Sequence, residues 1–171
     1  MGEREERFDR LFHASYPALW RYTRRRVPEA DVDDVLAETF TVAWRRLDDV
    51  PECDAALPWL YRVAANTIAN RRRSQRRHVR LVARLQAERP PAEADGLTQV
   101  LEALAALRPE DQEALRLAAW EGLTAAEIAV VLGCSANAAA LRLSRARARF
   151  RERLTGSRPT LTQARRKEID V

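Results

Sequence analysis

Between residues 142 and 153 six arginines (Arg142, Arg145, Arg147, Arg149, Arg151 and Arg153) stand close enough in sequence to crowd one helix. Guanidinium groups at this density suit phosphate oxygens and the acceptor edges of bases, so the chemistry they offer is recognition. Two further stretches carry opposite charge. From Glu29 to Ala56 nine acidic residues face only Arg45 and Arg46, whereas Trp59 to Arg89 holds nine arginines against Glu88 alone. One surface suits a polyanion and the other a basic protein partner. The chain has no nucleophile with a base and an orienting group, no phosphate-binding glycine loop and no metal-ligand spacing, so neither catalysis nor a cofactor is expected. Cys53 and Cys134 lie far apart, with only His13 and His78 as other soft ligands, and read as reduced thiols rather than a zinc site.

The elements that must position these groups read as helices. The 171 residues are 46% hydrophobic and 32% charged with only 5 glycines, a composition that favours helix over strand, and the length allows two small domains with short cores. Phe8, Leu11, Phe12, Tyr16, Leu19 and Tyr22 recur at helical spacing, which predicts a helix over the first 27 residues, broken or kinked near Pro17. Asp31 reads as the side-chain cap of a second helix that buries Val32, Val35, Leu36, Phe40, Ala43 and Leu47. Its acidic residues Asp33, Asp34 and Glu38 then point outward. A loop over 48–57 precedes a third helix that starts at Pro58, buries Leu60, Val63, Ala64 and Ile68, and ends in the arginine tract.

The run ERPPAEADG (88–96) reads as an exposed linker. Beyond it an amphipathic helix over 97–107 is followed by one from Pro109 to about Trp120. Thr124 with Glu127 forms a capping box, Gly133 supplies a left-handed turn, and Ser135 caps a last helix that buries Ala139, Leu143, Ala146, Phe150 and Leu154. This is a helix-turn-helix pattern, whose second helix fits a major groove. The expected architecture is all-α: residues 1–87 as one domain, 88–96 as flexible linker, 97–154 as a second domain and 155–171 as a disordered tail. The charged N-terminus and the absence of an apolar run long enough to span a bilayer point to a cytoplasmic protein without membrane insertion.

In order and wording these pieces resemble the extracytoplasmic-function sigma factors. DVDDVLAETFTVAWRRLDDV is similar to that family's polymerase-binding helix and PWLYRVAANTIANRRR to its promoter-melting, -10-reading helix. GLTAAEIAVVLGCSANAAALRLSRARARFRERL is similar to its -35-reading motif. The resemblance implies a region 2 domain, a region 4 domain, and three kinds of partner: RNA polymerase core (the largest-subunit coiled coil and the flap), promoter DNA and an anti-sigma factor. It places Asp33, Asp34 and Glu38 against polymerase, with Phe40 and Trp44 packing that helix into its domain. Trp59, Arg62, Asn66, Asn70, Arg71, Arg72, Arg73, Arg76 and Arg77 fall around the melted -10 strand, where stacking and a basic groove hold unpaired bases. Ser135, Asn137, Leu141, Arg142, Arg145 and Arg149 fall against -35 DNA.

Two departures stand out. Ala138, Ala139, Ala140, Leu141 and Arg142 replace a Thr-Val-Lys-Ser-Arg-like run, and Ala37 stands where the family often has glutamine. Alanine and leucine donate no hydrogen bond, though they can touch a thymine methyl. The competing expectations are a stand-alone helix-turn-helix regulator, which leaves the acidic helix without a task, and a degenerate sigma-like interaction module whose last helix no longer reads DNA.

Overall fold

The computed structural model describes residues 2–82 and 96–156, and side chains over 2–52, 54–74 and 98–155. The expected linker up to residue 95, the tail beyond Gly156 and the side chains of Arg76 and Arg77 lie outside the described residues. Among the described residues there are seven α-helices and no strand.

Helix α1 spans Glu3–Arg24, with Glu3, Glu5 and Glu6 in its first turn and Arg21 and Arg24 in its last, each sign complementing the helix dipole. Pro17 lies inside it, so of the break or kink expected there the break does not occur. The helix stops three residues earlier than the pattern suggests, because the Arg26 and Val27 N–H groups turn back onto the Thr23 carbonyl at 2.8 and 3.1 Å. Helix α2 spans Val32–Arg45 after a 3-10 turn at Glu29–Asp31. Asp31 occupies the N-cap position, but its side chain accepts no hydrogen bond from the helix. The expected side-chain cap is therefore corrected: the Asp31 carboxylate lies 3.8 Å from the Arg71 guanidinium instead.

The stretch expected as a loop before the third helix contains 3-10 turns at Leu47–Asp49 and Cys53–Ala55. Helix α3, Ala56–Val82, starts two residues ahead of Pro58. The proline thus sits in the first turn, where its missing N–H has no intrahelical partner to lose. The second half contains α4 (Gly96–Ala105), α5 (Pro109–Trp120), α6 (Ala125–Leu132) and α7 (Ala136–Gly156). Pro109 starts α5 with its φ already set for a helix. The α6–α7 turn is fixed at both ends. Gly133 takes φ +67°, a conformation open to glycine, and the Ser135 hydroxyl accepts from the Ala138 N–H at 3.2 Å.

Leu19, Val35, Leu60, Ala64 and Tyr22 fill the space between α1, α2 and α3. Two short cores were expected, yet the apolar cluster continues across the chain to Leu117, Ile128, Ala129, Val131, Ala139 and Leu143. Helix α6 packs on α3, so the turn that leads into α7 is held against the arginine-bearing helix of the first half.

The capping box of α6 is formed in full: Glu127 Oε2 accepts from the Thr124 N–H and hydroxyl, both at 2.7 Å, and the Glu127 N–H donates to Thr124 Oγ1 at 3.3 Å. The side-chain and backbone hydrogen bonds from Thr124 hold the Glu127 pKa below its ordinary value. A carboxyl depressed in this way stabilises the fold above the ordinary carboxylate range and loses that contribution as pH falls through its folded value. Thr124→Ala is expected to cost about 1 kcal/mol, a few degrees of Tm. In thermal melts the deficit of Glu127→Gln should shrink on acidification, and equal deficits at neutral and acid pH would contradict the ionised box.

Candidate functional site

Helix α2 buries Val32, Val35, Leu36, Thr39, Phe40 and Ala43, which turns Asp33, Asp34 and Glu38 outward. The structure thus brings these three together on an exposed face. Arg71 of α3 reaches across to that face. Its guanidinium lies 3.0 Å from Asp34, 3.8 Å from Asp31 and 3.8 Å from Glu38. The Asp34 side chain remains 67% exposed and that of Glu38 49%, so the pairing neutralises part of the face without covering it. Pairs this exposed contribute ~1 kcal/mol or less each. Phe40 is buried, whereas Trp44 is 38% exposed and meets Phe8 edge-on at 5.2 Å, with Arg4 over its ring.

Of the residues expected around the melted strand, Arg62, Asn66, Asn70, Arg72 and Arg73 are exposed along α3, while Trp59 is half-buried against the core. Not all of their donors point to solvent. Arg72 donates to the Arg26 carbonyl at 2.7 Å and Arg73 donates to the Asn70 side chain. The tip of Arg62 lies under the α6–α7 turn, donating to the Val130 carbonyl at 3.4 Å, and a Cβ on Gly133 would meet its Nη2 at 3.1 Å. The exposed parts of α3 still form a basic ridge.

A cluster that sequence reasoning missed joins the two halves. Arg26 bonds Glu113 at 2.9 Å and Glu121 at 3.0 Å, with side-chain exposures of 4% for Arg26 and 3% for Glu121. Arg25 meets the same Glu121 at 2.6 Å, and the Tyr22 hydroxyl donates to Glu113 at 3.3 Å. Burial works against the Arg26 charge, but the Glu113 and Glu121 carboxylates around it favour the charged form, and its pKa is raised. Burial, then the Glu113 charge, pushes the Tyr22 hydroxyl well above the phenol range. Burial likewise pushes Tyr61 up to about 12, with Glu121 adding to the effect. Both phenols remain protonated. The one sequence signal for this cluster is an arginine directly after a helix end, which names no partner.

On α7, Ser135, Asn137, Leu141 and Arg145 are exposed and Arg142 is half-buried, so these fall on one accessible stretch of the helix. Arg149 differs. It pairs with Asp111 of α5 at 2.6 Å, and Asp111 is buried to 8% side-chain exposure. One of its nitrogens thus braces α7 on α5, while the side chain stays 47% exposed. Among the described residues no group of three or more His, Cys, Asp or Glu could hold a metal ion.

Comparison with known proteins extends this geometry. Family models described as sigma-70 region 2 and sigma-70, region 4 match residues 11–78 and 97–150. RNA polymerase sigma factor NccH of Alcaligenes xylosoxydans xylosoxydans is 34% identical over 143 residues, covering 77% of each chain. The ECF RNA polymerase sigma-E factor of Escherichia coli K12 is 31% identical over 151 residues, covering 72% of this chain and 73% of its own. The solved structure of CnrH in complex with the cytosolic domain of CnrY aligns with a TM-score of 0.60 at 30% identity, covering 88% of this chain and 89% of that one. Bartonella quintana RpoE, solved with the anti-sigma factor NepR, reaches a TM-score of 0.66 at 24% identity over 88% and 98%, a likeness of fold.

The chain belongs to the sigma-70 family and carries its regions 2 and 4. Within that family it stands with the extracytoplasmic-function sigma factors, and its role is in transcription initiation. The region 2 match gives the acidic helix a place that a stand-alone helix-turn-helix regulator would not.

Arg145 and Arg149 of α7 should separate by stability. Arg149→Ala leaves a buried carboxylate without its partner and is expected to cost roughly 1 to 3 kcal/mol in denaturant unfolding, while Asp111→Asn with Arg149→Ala recovers part of that loss. Arg145→Ala, at an exposed position, should stay within about 0.5 kcal/mol of the parent. Equal effects at both sites would refute the bracing role.

Proposed function

We propose that this chain divides promoter recognition and polymerase binding among three helices. Asp33, Asp34 and Glu38 on α2 contact the coiled coil of the polymerase largest subunit. The open carboxylate face supports this, since charge complementarity there sets orientation and association rate more than raw affinity. Helix α3 lines the melted -10 strand with Trp59, Arg62, Asn66, Asn70, Arg71, Arg72, Arg73, Arg76 and Arg77. Unstacked bases need stacking faces and a basic groove, worth ~1 to 3 kcal/mol per base. Helix α7 enters the -35 major groove, where Arg142 and Arg145 reach bases or phosphates, Ser135 and Asn137 meet the backbone, Leu141 offers apolar contact, and Arg149 stands farther along. The second domain also meets the polymerase flap. The observation that carries the assignment is the acidic α2 face beside the basic α3 ridge within one region 2 match.

The chain itself is not an enzyme in this reading and needs no cofactor; polymerase performs the chemistry. An anti-sigma factor holds it inactive, a partner suggested by the NepR and CnrY complexes of the structural neighbours. It acts in the cytoplasm. Among the described residues no single helix is long and apolar enough to cross a membrane. The domain assignment 1–87, 88–96, 97–154 and 155–171 belongs to the same proposal.

Run-off transcription with core polymerase tests the whole, and variants separate the parts. Asp34→Lys with Glu38→Lys should abolish co-purification with core. Arg142→Ala with Arg145→Ala should weaken upstream promoter binding tenfold or more, on the scale of one or two lost base contacts. Asn66→Ala should leave binding largely intact while reducing permanganate reactivity of the -10 thymines. Unchanged core binding by the double lysine variant, or unaltered melting with Asn66→Ala, would overturn the respective assignment.

A further inference from the structure

We propose that the first turns of α1 form a clamp that sets the position of the segment leading into α3, and with it Trp59, for reading the melted -10 strand, with Arg4 and Arg7 as its positioning residues. The inference rests on the assignment of Trp59 and the start of α3 to that strand. Arg4, Arg7, Phe8 and Leu11 have the spacing of one helix face, and that face meets the chain between α2 and α3. Arg4 Nη1 donates to both carboxylate oxygens of Asp48 at 3.2 and 3.1 Å, and its Nη2 donates to the Trp44 carbonyl at 2.8 Å. Arg7 donates to the Val50 carbonyl at 2.9 Å, a partly buried bond. Beside these bonds Leu47, Val50 and Ala56 form a small buried core, on which Phe8 and Leu11 of α1 and Trp59 of α3 all pack. Arg46 adds a further tie, pairing with Asp49 at 2.9 Å while its guanidinium lies 5.9 Å from the centre of the Trp59 ring.

The segment has little structure of its own with which to hold a shape. It contains two single 3-10 turns, at Leu47–Asp49 and Cys53–Ala55, each too short to fix it. The grip from α1 supplies what they lack, and it is uneven. Leu47, Val50 and Ala56 are buried, while Pro51, Glu52, Asp54 and Ala55 stay exposed between them. A segment fixed at both ends with an open middle meets a strand without first having to be ordered. Base reading is sensitive to placement, because a hydrogen bond weakens steeply outside a narrow range of distance and angle. The Arg4–Asp48 pair is exposed at 44% and 83%, so it adds little stability, and its contribution lies in placement.

The full-length chain with core polymerase provides the test. Run-off transcription is read from two promoter sets, one with every single-base change across the mapped -10 element and one with every change across the -35 element. In Arg4→Ala with Arg7→Met, the ratio of output between the parent -10 sequence and its changed versions should fall at least threefold. Ratios at -35, co-purification with core and helicity should stay at parent levels. Arg7→Lys keeps a donor for the Val50 carbonyl and should retain most of the discrimination that Arg7→Met loses. A contact serving stability alone would instead lower output from every promoter by the same factor.

Unchanged -10 ratios in a double variant of normal helicity overturn the clamp, as does an equal loss at -10 and -35. Equal losses in Arg7→Lys and Arg7→Met do the same. Should the double variant lose helicity, Asp48→Ala decides, since it breaks only the exposed pair: a fall in the -10 ratios upholds the clamp and parent ratios overturn it. Failure of the underlying assignment looks different, because Trp59→Ala would then leave the -10 preferences and permanganate reactivity of the otherwise unaltered holoenzyme unchanged.

Discussion

A guanidinium that is 4% exposed cannot stand without counter-charge, and the two carboxylates that meet Arg26 come from α5 and its end, some 90 residues further along the chain. Removing one member of such a cluster leaves the others buried and unpaired, at a cost of ~3 to 5 kcal/mol. The placement of α6 on α3 follows from it, because Glu121 ends α5 one residue before Gly122 turns the chain, at φ +69°, toward the capping box. Arg26 in turn offers its own carbonyl to Arg72, so the same residue that ties the two halves also orients part of the basic ridge.

Local chemistry was legible in the sequence. Pro109, the Thr124–Glu127 box, Gly133 and Ser135 each do at their positions what their covalent structure prescribes, and they fix α5, α6 and α7 to within a residue or two. What escaped are the places where a distant group outcompetes a local one. Asp31 has the right type and position for a cap, but it closes a 3-10 turn and its carboxylate lies toward Arg71 instead. Arg149 has the spacing of a DNA contact, and its pairing with a buried Asp111 on another helix is something that spacing does not announce. Pro17 does not end its helix, whose residues Leu11, Ala18 and Leu19 pack on the core on both sides of it. Periodicity records which face is apolar; it does not record which side chain of a neighbouring element will be within reach.

The Arg71 triad shows how charge segregation along the sequence becomes charge contact in space. Helices α2 and α3 pack side by side, so an acidic element and a basic one must meet along their common edge. Among the described residues they do so through Arg71, with three carboxylates around it, and Asp33, Arg72 and Arg73 stay exposed on either side. Under the proposed assignment a basic polymerase element would compete with Arg71 for Asp34 and Glu38, and pairs this exposed hold the guanidinium only weakly.

The alanine run of α7 is less anomalous in space than in sequence. Ala139 is fully buried, one turn ahead of buried Leu143 and two ahead of buried Ala146, so its small side chain serves the close approach of α7 to α6. Only Ala138, Ala140 and Leu141 of the departing positions remain exposed. A helix of this composition has few hydrogen-bond donors at its centre. Under the proposed -35 assignment, discrimination between bases would be concentrated in Arg142, Arg145 and an apolar touch from Leu141, with DNA shape and deformability contributing the remainder. The -10 side, with several exposed polar groups on one face of α3, carries correspondingly more of the sequence reading in the proposed division of tasks.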